Sequence, residues 1–327
     1  MGFRGIATVA AVAGTLSGGA LAQDNWPSGP ITMVAGFPSG GGTDRFVREM
    51  SEHFAAKLGV PVNVVNKGGA GSQLGAMYFL QRGDDCETLF GSNISPYLQL
   101  SMIQNGAPYT LDDFAFINGQ WGEYDLMFVS KESQYTSFEE LMTAIKDRPG
   151  EVSAAMVTGG SPMLNLSLTL DSLGIPLENV NIVSFSSGAK IRTTVAGNTA
   201  DFTIIAGEGS VSVEELIRPL AVYRTEPVEL WDAPTIGSVV TAMGGEPAPI
   251  LDGSLRGFAA SAACREAHPD RFDKIVSAMK AAVEDPEVRK TLAEKQIGAD
   301  WIGPEGALEV MEVNYDLYDR FRDRLSE

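Results

Sequence analysis

A chain of 327 residues with 44% hydrophobic content has apolar material for one large core or two ordinary ones, and two lobes is the expectation. The formal net charge of −18 excludes nucleic acid and anionic membrane surfaces as partners, since both are bound through clustered Lys and Arg. Two cysteines and two widely separated histidines supply neither a zinc site nor a His-dependent triad.

The N-terminus reads as an export signal. Arg4 gives a positive start, residues 6–16 an apolar stretch, and Ala20-Leu21-Ala22 a small-x-small cleavage site, so a mature chain from Gln23 is expected in the periplasm. The apolar stretch is far short of the roughly 20 residues that span a bilayer. No later stretch reaches that length either, so no insertion of the mature chain into a membrane is expected. In an oxidising compartment a lone pair of cysteines is expected to be bridged, which pairs Cys86 with Cys264.

The chain then alternates strands and helices. Residues 31–35, Ile-Thr-Met-Val-Ala, form an apolar strand leading through Gly36-Phe37-Pro38-Ser39-Gly40-Gly41-Gly42-Thr43-Asp44 into a helix. Phe46, Met50, Phe54 and Leu58 recur at helical spacing, Val47 widens the stripe and Gly59 stops it. Such a turn leaves the first helical N–H groups unpaired at the positive end of the helix dipole, a seat for an anion. A second strand at 60–65 runs into Asn66-Lys67-Gly68-Gly69-Ala70-Gly71-Ser72 and a helix over 73–81. A third, at 87–90, runs into a turn at 91–96. The glycines at 69, 71 and 75 are off the spacing of a dinucleotide fingerprint, so no nicotinamide cofactor is expected.

An extended apolar passage at 114–130 reads as the crossing into a second lobe, where the same grammar recurs. A helix at 137–146 and a strand at 152–157 precede Thr158-Gly159-Gly160-Ser161-Pro162 and a helix at 163–173. A strand at 181–185 precedes Ser186-Ser187-Gly188-Ala189-Lys190 and a helix through 196. Short strands are expected at 201–205 and 220–223, a Pro- and Gly-rich passage at 227–253, a strand at 255–263, and helices at 269–284, 288–295 and 304–325. The lobes are therefore expected to comprise residues 23–125 with 241–327, and 126–240. Ser187-x-x-Lys190 matches one motif of penicillin-recognising enzymes, but their other two motifs are missing, as are a G-x-S-x-G nucleophile elbow and a Walker P-loop. No catalytic residue and no metal ligand is assigned.

Several stretches resemble the periplasmic substrate-binding proteins of tripartite tricarboxylate transporters, the Bug receptors. They are residues 26–34, Phe37-Pro38-Ser39-Gly40-Gly41-Gly42-Thr43-Asp44, residues 64–72, Tyr109-Thr110-Leu111-Asp112-Asp113-Phe114, Gly160-Ser161-Pro162, Ser187-Gly188-Ala189 and Leu220-Ala221-Val222. The resemblance implies an α/β, two-lobed type II periplasmic binding protein fold, each lobe a mixed sheet flanked by helices, closing like a venus flytrap on a small carboxylate. It implies ligand contacts at Phe37, Ser39, Gly40, Gly41, Ser72, Ser92 and Asn93 in the first lobe, and at Thr158, Gly160, Ser161, Ser187 and Ala189 in the second. It also implies delivery to a two-subunit integral membrane permease. Three places depart from the family's pattern: Met163, Leu164 and Asn165 where a histidine is usual, Ala206 where an aspartate is common, and Lys190 and Arg192 where small apolar residues are.

An acidic protein can hold an anion if the field at the site comes from fixed backbone N–H groups and helix N-termini while surface charge is screened within roughly 8 Å. On that account no arginine clamp is required, and Lys190, one residue into its helix, is expected to touch the ligand's far end. An exported hydrolase acting on a carboxylic acid derivative and a ligand-sensing subunit for a membrane kinase remain open as alternatives.

Overall fold

The structure, a computed structural model, describes residues 1–2, 26–157, 161–185, 188–251 and 253–323. The expected signal segment and its cleavage site lie outside them. In chain order the elements are β1 (Ile31–Ala35), α1 (Gly42–Leu58), β2 (Val62–Asn66), α2 (Gln73–Leu80), β3 (Thr88–Ser95), α3 (Tyr97–Asn105) and β4 (Phe114–Gly122). Then come β5 (Asp125–Ser130), α4 (Phe138–Asp147), β6 (Val152–Val157), α5 (Ser161–Ser172), β7 (Val180–Phe185), α6 (Gly188–Ala196), β8 (Phe202–Ala206), β9 (Ile217–Val222) and α7 (Ile236–Ala242). The chain closes with β10 (Leu255–Ser261), α8 (Ala262–Ala267), α9 (Pro269–Val283), α10 (Pro286–Glu294) and α11 (Gly303–Arg320).

Two five-stranded sheets result, ordered β2-β1-β3-β10-β4 and β7-β6-β8-β5-β9. In the first, β1 runs parallel to β2 and β3, while β10 is antiparallel to β3 and β4. In the second, β6 runs parallel to β7 and β8, while β5 is antiparallel to β8 and β9. The two antiparallel inner strands, β5 and β10, are those the chain enters directly after crossing between sheets. The fold is thus α/β and two-lobed, each lobe a mixed sheet flanked by helices.

Burial follows the sequence pattern. The inner strand β1, parallel to both its neighbours, is buried along nearly its whole length, as an apolar run covered by helices must be. On α1 the residues Phe46, Val47, Met50, Phe54 and Leu58 are buried, and Gly59 caps the helix in the left-handed region at φ 85°. Phe46 packs against Phe258 and Trp121, joining α1 to β10 and β4. Cys86 and Cys264 are joined by a disulfide that ties the approach to β3 to α8. Among the described residues no helix is long and apolar enough to cross a membrane.

Two expectations change. The turn expected at 91–96 is strand: β3 continues to Ser95, because Gly91 lies flat against Phe258 and Val47, where a Cβ would stand 2.8–2.9 Å from their side chains. Tertiary packing overrides the poor strand propensity of Gly, Ser and Asn. The passage at 227–253 holds α7, and a short 3-10 helix at Glu208–Leu216 follows β8.

Candidate functional site: the cleft between the lobes

The chain crosses between the sheets twice, at 123–124 and again between α7 and β10, and the crossings meet where the Glu123 N–H donates to the Ser254 carbonyl at 2.8 Å. Helix α5 is pinned to the second crossing through Asn165. Its amide nitrogen donates to the Leu251 carbonyl at 3.1 Å and to Asp125 Oδ2 at 3.0 Å, and its oxygen accepts from the Leu251 N–H at 3.0 Å. Around it Leu100, Leu164, Leu168, Leu251 and Tyr318 form an apolar cluster that spans both lobes. Leu164 and Asn165, which depart from the family's pattern, are therefore hinge-side packing residues.

Beside this hinge lies a cleft of about 760 Å³, within the range of small-molecule sites. The first lobe contributes Gly42 at the start of α1, Asn93 from β3, Tyr97 at the start of α3, Trp121 from β4 and Arg256 from β10. The second contributes Ser161 at the start of α5, Gly188 and Ala189 at the start of α6, Arg192, and Glu208. Four helix starts, α1, α3, α5 and α6, line one hollow from both lobes, and the first N–H groups of a helix have no intrahelical partners.

The first turn is ordered by its own acid. Asp44, on the first turn of α1, accepts from the Gly40 N–H at 2.9 Å, from Asn66 Nδ2 at 2.7 Å and from Arg48 Nε at 2.9 Å. Burial alone would raise the Asp44 carboxyl, but these donors outweigh it and hold it below the ordinary carboxylate range. Asn66 also donates to the Phe37 carbonyl at 3.0 Å. The Gly-Gly-Thr-Asp turn and the Asn at the start of the second turn are thus one hydrogen-bonded unit.

The expected ligand contacts divide. Asn93, Ser161 and Ala189 line the cleft. Thr158, Gly160 and Ser187 lie outside the described residues. Phe37, Ser39, Gly40 and Gly41 sit beside the cleft, with Gly42 and Arg45 lining it in their place; Phe37 packs edge-on to Tyr97, ring centroids 5.1 Å apart. Ser72 and Ser92 are buried and bonded to each other at 2.8 Å, with Gly36 pressed on both hydroxyls so closely that a Cβ would collide with them. Their role here is to hold three turns together. Lys190 is exposed, its Nζ 5.5 Å from the Phe185 ring centroid, and does not line the cleft. Helix α6 begins at Gly188, and at about 100° per residue Lys190 and Arg192 point to opposite sides, so Arg192 is the cation that reaches the cleft.

Side chains that sequence reasoning passed over supply the rest. Arg45, Arg192 and Arg256 all line the cleft, which corrects the expectation that backbone dipoles act there without arginine. Arg256 lies over the Trp121 ring, 4.0 Å from its centroid, and its Nη1 is 2.9 Å from Glu123 Oε2; both partners are largely buried, at 13% and 7% side-chain exposure. Glu123 also accepts from the Ser254 hydroxyl at 2.5 Å. Trp121 Nε1 donates to Glu208 Oε2 at 2.9 Å, a hydrogen bond between the lobes. Burial pushes the Tyr97 hydroxyl above its usual range, with Arg256 opposing and Glu123 adding to the shift. One signal in the sequence pointed here: Arg256 is a lone charge in an apolar strand, and such a charge is buried only with a purpose or a partner. Both histidines sit elsewhere, His53 beside Glu49 on α1 and His268 at the start of α9.

No protein-family model matches the chain. It is similar to protein BugT of Bordetella pertussis, 32% identical over 144 residues, which is 43% of this chain and 44% of that one. It is also similar to a UPF0065 protein of Agrobacterium vitis, 26% identical over 279 residues, covering 84% and 77%. The chain thus spans under half the length of BugT in that match. Among solved structures it shares its fold with a TctC solute-binding protein from Polaromonas, TM-score 0.74 at 19% identity over 91% of this chain and 99% of that one. MatC from Rhodopseudomonas palustris, solved with bound malate, gives 0.70 at 18% over 92% and 100%. Sequence and fold together bear out the resemblance to Bug and TctC-like solute-binding proteins.

Proposed function

From that likeness we propose that this chain is an exported solute receptor of the periplasm that captures a small organic acid, a di- or tricarboxylate or a related compound, between its lobes. It delivers the acid to a two-subunit membrane permease. The observation that carries this reading is the cleft itself: helix starts from both lobes and three arginines face one hollow of ligand size. The dividing lines of the lobes fall near residues 125 and 240, beside the two crossings. The malate held by MatC supports an acid as the cargo.

Charge-assisted hydrogen bonds to a carboxylate contribute on the order of 1.5–3 kcal/mol each. Three or four of them, less the cost of association, leave micromolar affinity, about −8 kcal/mol. Transport is favoured over hydrolysis because the cleft carboxylates Glu123, Asp125 and Glu208 are engaged in holding the structure, Glu208 by the Trp121 indole N–H. Glu123 is tied to Arg256 and Ser254, and Asp125 to Asn165.

A thermal-shift screen of carboxylic acids, from monoacids through malate and adipate to citrate, tests the reading. An acid at 100 times its dissociation constant is expected to stabilise the protein by about 2.7 kcal/mol. Uniform indifference to the whole panel would refute it.

A further inference from the structure

Resting on the receptor reading above, we propose that Arg192 is the specificity-determining residue of the second lobe: its guanidinium is the counter-ion for a second anionic group at the far end of the bound acid. Arg256 is already neutralised, since Glu123 stands 2.9 Å from its Nη1. Arg192 has no such partner. Its Nε donates to the Ser210 hydroxyl and its Nη2 to the Ala206 carbonyl, each at 3.1 Å, and both acceptors are uncharged. Among the described residues no carboxylate lies within ion-pair distance of it.

The guanidinium is nonetheless rigidly placed. Ser210 is fully buried and itself donates to the Ala206 carbonyl at 2.9 Å, and the Arg192 plane lies against Gly209 so closely that a Cβ there would collide with it. Nη1 is the nitrogen left over. It lies next to Gly188, the first residue of α6, where a Cβ would be 3.3 Å away, so a side-chain donor and a helix start share one corner of the cleft. Burial lowers the proton affinity of Arg192, which Glu123 counters and Arg256 reinforces, placing all three charges in one field. Arginine keeps its proton in proteins, so the charge stays, and a part-buried charge without a partner is costly until an anion arrives. Glu208 and the exposed Arg45 also line the cleft, and Glu208 is held by Trp121 across the lobes.

Calorimetric titrations of the full chain with two length-matched pairs, adipate against hexanoate and succinate against butyrate, test this. In the wild type, the better diacid is expected to bind at least tenfold more tightly than its matched monoacid. Arg192→Gln is expected to weaken the diacid at least tenfold and leave the monoacid within twofold. Arg192→Lys, which keeps a charge but loses the planar fork, is expected to fall between them. If Arg192→Gln does not fold by circular dichroism, the Lys variant decides, and wild-type affinity for both acids overturns the inference. A Gln variant that retains the diacid preference, or a wild type that holds monoacids equally well, overturns it while leaving the receptor standing. A wild type that binds none of the four acids overturns the inference, and the receptor reading then stands or falls on the wider acid screen.

Discussion

Asp44 shows how one side chain does several jobs at the start of α1. It satisfies the Gly40 N–H and positions Asn66 and Arg48 beside the cleft-lining Gly42. Removing it by Asp44→Ala takes the acceptor from the exposed Gly40 N–H, the half-buried Asn66 amide and Arg48, and is expected to cost about 1–3 kcal/mol in urea unfolding. The sign of its pH dependence follows from its lowered proton affinity. The stability it contributes is complete above the ordinary aspartate range and is lost as pH falls through the folded value. The gap between wild type and Asp44→Ala should therefore narrow in acid; a gap that widens below pH 3 would contradict the hydrogen-bonding account.

At the scale of elements, the hinge rests on α5 gripping an irregular segment. Asn165 pairs with both main-chain groups of Leu251, as a neighbouring strand would. Asn165→Ala leaves both Leu251 main-chain groups without that partner in an apolar setting, so a loss of about 2–4 kcal/mol is expected by chemical denaturation. A loss below 0.5 kcal/mol would show the grip to be incidental. The alternation of elements was legible because β1 is an uninterrupted apolar run and α1 carries a helical stripe ended by glycine. Local features of that kind carry their own phase. What stayed hidden depends on contacts distant in sequence. Gly91 to Ser95 look like a turn and become strand because Phe258, 167 residues on, lies across Gly91. The cleft suffered likewise. Asn93, Ser161 and Ala189, expected as ligand contacts from glycine- and serine-rich patterns, line the cleft, whereas Trp121, Glu123 and Arg256 come together only where two crossings meet. Lys190 is expected at the ligand from its place one residue into α6, but the sequence leaves the start of that helix undetermined by one or two positions, and helical phase turns such an offset into a different face: Arg192, not Lys190, lines the cleft.

For the whole molecule, a net charge of −18 and the proposed capture of an anion are compatible because the two act over different distances. Surface carboxylates are screened within roughly 8 Å at physiological salt, while helix starts and part-buried guanidinium groups act at hydrogen-bond range. The cleft sets Arg256 against Glu123, and on the proposed reading the unpaired Arg192 guanidinium and the helix starts meet the acid locally inside a negative protein. Titration calorimetry with the acid that most stabilises the protein, run at 0.05 and 0.5 M sodium chloride, tests this most directly. The account predicts saturable one-to-one binding with a micromolar dissociation constant, on the order of −8 kcal/mol, that weakens less than tenfold between the two salt concentrations. Absence of saturable heat in both, or its disappearance in high salt, would contradict it.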